Sequence, residues 1–433
     1  LEAQLSTNHA KAKLFLLVFI LSLAFVSCQG KKDEGPLEIV YWTHEDASRT
    51  KLEERLIAEF EEMNPDIRVL RKTFSSTDID EVALTSFEAG KGPSVCTQPV
   101  GNVSSLISGG YIAPIRFESV SARNRQELEH QYILGSLDAG AKDGIIYALP
   151  LEYTNWALYI NKNIMRELGI AEKDYPETLE ELYALSKRFV RHEDGAITYR
   201  LFDFRYPYYL TFLMPMVNQL GGGILTRDDG TVLLYGEEAW QKVLTFMADW
   251  GPFGDNLGSP TYINARSLFN KEKIAMCMSG LYQEKRLEEQ NPEFYRSGEW
   301  MVIPFPRFSG ALNDVPLNAY EHSFVVNAEQ SDELISACWR FVDFLQSHAL
   351  DYLEEVGILM PRVEIRNSPV LEAFPYSQVF LSELSKAVLI EHGLHEAEIS
   401  SLLAEAVDGL MVEGKSPESV LEQLKVSLSE IGV

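Results

Sequence analysis

Four short segments of this 433-residue chain gather aromatic rings beside acids, amides or arginine. Trp42, Thr43, His44, Glu45 and Asp46 form the first, and Glu152, Tyr153, Thr154, Asn155 and Trp156 the second. Asp203-Phe204-Arg205-Tyr206-Pro207-Tyr208-Tyr209 is the third, and Tyr320, Glu321 and His322 the fourth. Acids, amides and arginine hydrogen-bond hydroxyl groups, and flat rings cover C–H patches. That mixture suits non-covalent capture of a hydroxyl-bearing solute. Each segment also has a plainer reading. Glu45 and Asp46 can simply cap a following helix. Trp42 can be core, and Tyr153 and Trp156 can be packing. Arg205 can clamp a carboxylate with its planar fork, or it can pair with Asp203.

Covalent or metal chemistry has less to stand on. The 64 acidic residues make some carboxylate pair about 5–10 Å apart inevitable, so acid count alone does not argue for a glycosidase. The chain carries no nucleophile elbow, P-loop, zinc signature or kinase motif set. No cofactor and no metal are expected. Of four cysteines, Cys28, Cys96, Cys277 and Cys338, none forms a Cys-x-x-Cys or Cys/His cluster. Cys277 lies in an apolar run and Cys338 on an apolar helix face, where a free thiol packs as a small hydrophobe. The net charge of −26 argues against nucleic acid and anionic lipid headgroups as partners.

These side chains need elements to hold them. Residues 37–42 read as a strand, 49–63 as a helix with apolar positions 52, 56, 57, 60 and 63, and 67–73 as a second strand. A helix over 78–89 and a strand over 95–97 follow. Gln98 and Asn102 stand just past that third strand, at the carboxyl end where α/β sheets bind ligands. Residues 145–150 and 156–161 are extended. Thr178 caps a helix to about 191, and 206–220 is apolar nearly all round, the mark of a buried helix. Asp228-Asp229-Gly230 reads as a hairpin turn. A helix over 237–250, strands over 274–278, 300–303 and 323–327, a helix over 332–347 and an acidic helical C-terminus from about 396 complete the pattern. Alternating strands and helices predict an α/β layer with a mostly parallel sheet.

The N-terminus carries its own signal. Lys11 and Lys13 precede the apolar stretch 14–26, too short for a bilayer helix of about 20 residues but fitting a signal peptide. Phe25-Val26-Ser27-Cys28 resembles the bacterial lipobox, with Phe25 where leucine is usual. The resemblance implies cleavage before Cys28 and lipidation of its thiol. Residues 1–27 are then the signal peptide with upstream residues, and the polar stretch 28–36 a tether. About 400 residues remain, long for one core and suited to two.

In sequence order, the rest resembles the family 1 extracellular solute-binding proteins of ABC importers, the maltose-binding-like class. Glu59-Phe60 through Asn64-Pro65-Asp66-Ile67 is similar to the family's helix-to-strand join. Gly92-Pro93-Ser94-Val95 resembles its "G-x-P-D-V" turn, with Ser94 for Asp. Gly110 to Ile115, Asp143-Gly144 to Pro150, and Tyr159-Ile160-Asn161-Lys162 resemble further family segments. So do Pro176 to Leu182, Phe269 to Gly280, and Trp339 to Leu345. The resemblance runs from 37 to about 362. It implies a two-lobed α/β periplasmic-binding-protein fold of type II whose hinge the chain crosses about three times. The crossings are expected near Pro150–Leu151, Pro304–Pro306 and Gly357–Pro361. Lobe 1 then combines 37–150 with 307–356, and lobe 2 combines 151–303 with 357–433.

The resemblance further implies a sugar in the interlobe cleft. The loop acids after the first strand, an acid or aromatic after the first crossing, and an aromatic within 203–209 correspond to ligand contacts in the family. Tyr282 stands after Gly280 where relatives commonly place a stacking Trp. Tyr320, Glu321 and His322 replace a Gly-rich stretch. Tyr208-Tyr209 is also similar to the tyrosine pair of ferric-ion binders, but the neighbouring pattern fits sugar binders better. The expectation is a monomeric, non-catalytic lipoprotein at the periplasm or cell surface, held at the membrane by its lipid and serving ABC permease subunits. The alternatives are a binder of a non-sugar solute, a lipoprotein that presents ligand to a sensor, and a lipoprotein glycosidase.

Overall fold

The computed structural model describes residues 35–75, 78–206, 208–227, 230–261, 265–317, 320–387 and 395–431. The expected signal peptide, Cys28 and most of the tether lie outside the described residues, as do Pro207, Asp228, Asp229, Asn318 and Ala319. Strand β1 (Leu37–His44), helix α1 (Ala47–Met63), β2 (Ile67–Phe74), α2 (Asp78–Glu88), β3 (Val95–Pro99) and α3 (Val100–Ser108) open the fold. The apolar stripe of α1 buries Leu52, Leu56 and Phe60, while Met63 at its last turn is exposed. Asp46 caps α1 by accepting from the Arg49 backbone N–H. This side-chain acceptor satisfies a donor that the first turn leaves open.

Strands β4 (Ala148–Thr154) and β5 (Ala157–Asn161) follow, then α4 (Leu179–Phe189), α5 (Tyr209–Gln219), α6 (Glu237–Trp250) and α7 (Ala265–Asn270). Next come β6 (Met276–Ser279), α8 (Tyr282–Gln290), β7 (Trp300–Ile303), β8 (Tyr320–Val326), α9 (Asp332–Gln346), α10 (Glu396–Met411) and α11 (Pro417–Glu430). Thr178 and Glu181 close a full capping box at α4. Gly223–Thr226 and Val232–Tyr235 pair as the expected antiparallel hairpin. Helix α5 starts three residues later than its apolar pattern predicts. Asp203 accounts for the delay: it accepts from the Phe204 backbone N–H (2.9 Å) and the Tyr206 hydroxyl (3.2 Å), which holds the chain in an irregular turn.

Two sheets carry the molecule. The larger has the order β2-β1-β3-β8-β4, and the smaller β6-β5-β7. The expectation of a mostly parallel sheet is corrected here. Only β1 with β2 and β3 run parallel. Strand β8 is antiparallel to both β3 and β4. The smaller sheet is antiparallel throughout. Local strand–helix alternation dictates parallel pairing only for neighbouring units. β8 reaches the large sheet from far along the chain and enters from the opposite end.

Strand β5 is buried on both faces, and its period of two divides the cores. Ala157 and Tyr159 pack with the cluster that also holds Tyr41, Phe60, Phe324 and Trp339. Leu158 and Ile160 pack with Phe204, Phe212, Trp240, Trp250 and the C-terminal Leu403 and Leu424. The passages between sheets follow the loss of strand partners. β4 stays in the large sheet past Pro150, to Thr154, which pairs with Tyr320. Phe305, Phe308 and Leu317 remain in the second core, and the chain rejoins the large sheet at β8. Cys96, Cys277 and Cys338 are buried free thiols. Among the described residues no helix is long and apolar enough to cross a membrane.

Candidate functional site

One edge of the large sheet collects the polar side chains. β1, β3 and β4 end there, and the antiparallel β8 begins there. The register places His322 opposite both Pro99 and Glu152. His44, at the end of β1, meets His322 edge to face with ring centroids 4.3 Å apart. Behind them lies a buried ionic cluster. Glu53 accepts from Arg49 Nε (2.8 Å), Arg71 Nε (2.7 Å), the Tyr41 hydroxyl (2.9 Å) and the Tyr352 hydroxyl (3.0 Å). With its charge shared by two arginines and two phenols, Glu53 is held below the usual carboxylate range although burial opposes this.

A second group of side chains comes from the chain just past β4, from the segment before α5 and from α8. Trp156 is buried, and the Arg205 guanidinium lies 4.4 Å from its ring centroid and 4.3 Å from that of Tyr208. Arg205 Nη1 donates to the Tyr282 hydroxyl at 2.7 Å. Arg286, one turn along α8 from Tyr282, places its guanidinium 4.7 Å from the Tyr282 ring centroid. Its Nη2 reaches across to Asp46 Oδ2 at 2.5 Å. Ser48 Oγ donates to Glu289 at 2.7 Å beside it. The start of α1 and the helix α8 therefore touch. Gly357 makes room for this wall: its φ is +77°, and a Cβ there would sit 2.7 Å from Tyr282 Cα.

Burial and charge set unusual protonation states. Burial pushes the Glu152 carboxyl up to about 7, against the pull of Arg49, Arg286 and Arg205. Its Oε1 is buried without a hydrogen-bond partner among the described residues. Burial also pushes Tyr282 up, but Arg205, Arg266 and Arg286 outweigh it and bring the phenol down to about 8. Burial, then the Arg49 charge, depress His44 to about 3, and burial, then the neighbouring His44, hold His322 well below the ordinary imidazole range. Both rings are neutral at pH 7. Asp46 is lowered because Arg286 and the Arg49 N–H outweigh its burial.

The structure brings His44, Asp46, Glu152, Trp156, Arg205, Tyr282 and His322 to one region. Trp42 is half-buried against Phe74, with ring centroids 4.8 Å apart. Glu45 is exposed. Gln98 and Asn102 are buried and bonded to each other at 2.9 Å. Tyr153 donates its backbone N–H to Leu359. Tyr206 is core, packed with Tyr209 and Phe212. Tyr320 and Glu321 are described only as β8 positions opposite Thr154 and Tyr153. Asp203 pairs with Arg200, not Arg205. Sequence reasoning missed Arg49, Asn155, Arg266 and Arg286 as members of the region. Arg286 was within reach, because it follows Tyr282 by four positions and so shares its helix face. Asn155 is fully buried, and neither amide atom has a partner among the described residues.

The profile of the family described as bacterial extracellular solute-binding protein matches residues 46–350. The galactooligosaccharide-binding protein of Bacillus subtilis (strain 168) is 25% identical over 185 residues, 41% of this chain and 40% of that protein. The match thus spans less than half the length of that relative. The arabinooligosaccharide-binding protein of Halalkalibacterium halodurans is 21% identical over 349 residues, 73% of this chain and 72% of that protein. A solute-binding protein of an ABC transporter from Thermotoga lettingae TMO, solved with alpha-D-tagatose, superposes with a TM-score of 0.76 at 18% identity. That superposition covers 91% of this chain and 99% of the other. At that identity the likeness speaks for the fold.

Proposed function

The chain belongs to the bacterial extracellular solute-binding proteins, and from that premise we propose that it captures a carbohydrate between its lobes and delivers it to an ABC permease. One observation carries the reading. The polar edge of the large sheet, with Glu152, His44 and His322, faces an aromatic and arginine wall of Trp156, Arg205, Tyr208 and Tyr282. Hydroxyls call for the first surface and C–H patches for the second. Glu152 Oε1 and both amide atoms of Asn155 are buried polar atoms without partners among the described residues. Leaving such atoms unbonded is costly, and a hydroxyl-rich solute would supply the missing bonds. The named oligosaccharide binders among the relatives support the same class of solute.

The lobes in this proposal follow the segments expected from the sequence, with the passages moved to the end of β4 at Thr154 and to the start of β8, and they close as hinged rigid bodies. Lipidation at Cys28 would tether the chain outside the cytoplasm, close to its permease. Mass spectrometry of the native N-terminus tests the anchor: an unlipidated mature terminus removes it. A thermal-shift panel of mono-, di- and oligosaccharides on the full chain tests the solute. Ligand at 100 times its Kd should raise stability by about 2.7 kcal/mol. Shifts with amines, peptides or metal ions and none with any sugar would overturn the carbohydrate assignment.

A further inference from the structure

We propose that Asn155 is a specificity-determining residue that takes two adjacent hydroxyls of the sugar as a pair, one on each atom of its carboxamide. This rests on the carbohydrate reading and deepens it. The first observation is the state of the amide. Asn155 is fully buried, and neither Oδ1 nor Nδ2 has a partner among the described residues. Every other buried asparagine or glutamine side chain among them makes at least one hydrogen bond. Asn161 Oδ1 accepts from the Ile164 N–H at 3.0 Å, for example, and Gln346 Nε2 donates to the Pro150 carbonyl at 2.8 Å. An apolar side chain of the same shape would serve packing better at 155, because it would remove the cost of two unbonded atoms.

The second observation is where the amide stands. Residues 155 and 156 form the gap between β4, in the large sheet, and β5, in the smaller one. The Asn155 carbonyl accepts from Thr154 Oγ1 at 3.3 Å, so the main chain has an anchor there while the side chain has none. Three positions earlier, Glu152 leaves Oε1 buried without a partner among the described residues. One position later, Arg205 covers the Trp156 ring at 4.4 Å, and the indole Nε1 at the ring edge is buried without a partner as well. Open donors and acceptors thus fall within five consecutive residues at the passage between the sheets. Hinged opening at that passage exposes them to solute, and closure buries them on it.

The chemistry of a carboxamide selects the partner. Its oxygen accepts and its nitrogen donates, side by side in one plane. Two hydroxyls on neighbouring ring carbons match that edge: one donates to Oδ1, and the other accepts from Nδ2. A lone hydroxyl could meet both atoms only through two bent bonds, and hydrogen bonds weaken steeply as they bend. A buried site built for a hydroxyl also rejects the analogue that lacks it, since the protein atom is then left unpaired.

Titration calorimetry on the full chain tests this. The first probes are galactobiose, arabinobiose, maltose and mannobiose, followed by the singly deoxygenated forms of whichever binds most tightly. Removing either hydroxyl of one adjacent pair should weaken binding by about tenfold or more. Asn155→Leu should abolish that sensitivity at those two positions and leave any penalty at other hydroxyls in place, as a double-mutant cycle reads it. Without solute, Asn155→Leu should melt no lower than the parent chain, because it deletes two unbonded buried atoms. Lost affinity with an undiminished melting temperature separates recognition from packing. Should the leucine variant fail to fold, Asn155→Ala takes its place in the cycle. A deoxygenation profile that is the same in the variant and the parent, or unchanged affinity for the parent sugar, overturns the inference and leaves the carbohydrate reading standing. Binding of none of these sugars removes the carbohydrate reading, and the inference with it.

Discussion

Glu152 and the His44–His322 pair pull the stability of the fold in opposite directions with pH. The Glu152 carboxyl is raised by burial from 4.5 to about 7 in the folded chain. Its contribution is therefore complete below pH 4.5 and is lost as pH rises through 7, because only the unfolded chain ionises it without cost. At full ionisation that cost is on the order of 3 kcal/mol. The histidines run the other way. His44 is depressed to about 3, so its contribution is complete above 6.5 and fades as pH falls toward 3. Glu152→Gln removes the first effect alone. Its melting temperature should gain on that of the parent chain between pH 4.5 and pH 8, since the amide cannot ionise. A melting difference that stays flat across that range would show that Glu152 is not the group responsible.

At the scale of elements, the cleft wall depends on what approaches α8. Gly280 and Gly357 both lie against Tyr282, and a Cβ on either would sit 2.7 Å from it. At Gly280 the neighbour is the ring edge, which can turn. At Gly357 it is backbone, which cannot. Gly298 also has a left-handed φ, +66°, but nothing within 4 Å of a Cβ. The pair separates strain from collision. Gly298→Ala should cost about 1–2 kcal/mol from the left-handed conformation and leave solute affinity unchanged. Gly357→Ala should lose more stability than that, and should also weaken solute binding by displacing Tyr282. Equal losses for the two variants in denaturant unfolding, with affinity intact in both, would remove Gly357 from the site's support.

At the scale of the whole molecule, contacts join segments far apart in the chain. Arg286 pairs with Asp46, Ser48 with Glu289, and the Glu396 carboxylate of α10 rests on Gly101 of α3, where a Cβ would lie 1.7 Å from its carboxyl carbon. The first contact offers a clean test, because Asp46 has two jobs. Asp46→Asn keeps a good helix cap for α1 but loses the charge that meets Arg286. The expected outcome is a larger radius of gyration by small-angle X-ray scattering, with the melting temperature nearly unchanged. A scattering curve identical to that of the parent chain would mean that this ion pair does not hold the lobes together.

Elements and fold class were legible from the sequence because their causes are local. Apolar spacing at 52, 56 and 60, with Asp46 and Thr178 as caps, acts within one or two turns. Segment order was enough to indicate the two-lobed architecture. The mixed sheet was not legible, since the antiparallel entry of β8 is a matter of where a distant segment returns. The site was half legible. Tyr282, Arg205, Trp156 and Glu152 could be picked by residue type and position. Tyr206 could not be told from them, because it sits one residue from Arg205 and its hydroxyl turns to Asp203 in the core. Arg266 was invisible for the converse reason: nothing near it in the chain marks it, and its importance comes from meeting Arg205, Arg286 and Tyr282 in space. Sequence determines which side chains exist and how their segments coil. Only the tertiary structure decides which charges are stripped of water together, because desolvation and pairing depend on neighbours far apart in the chain.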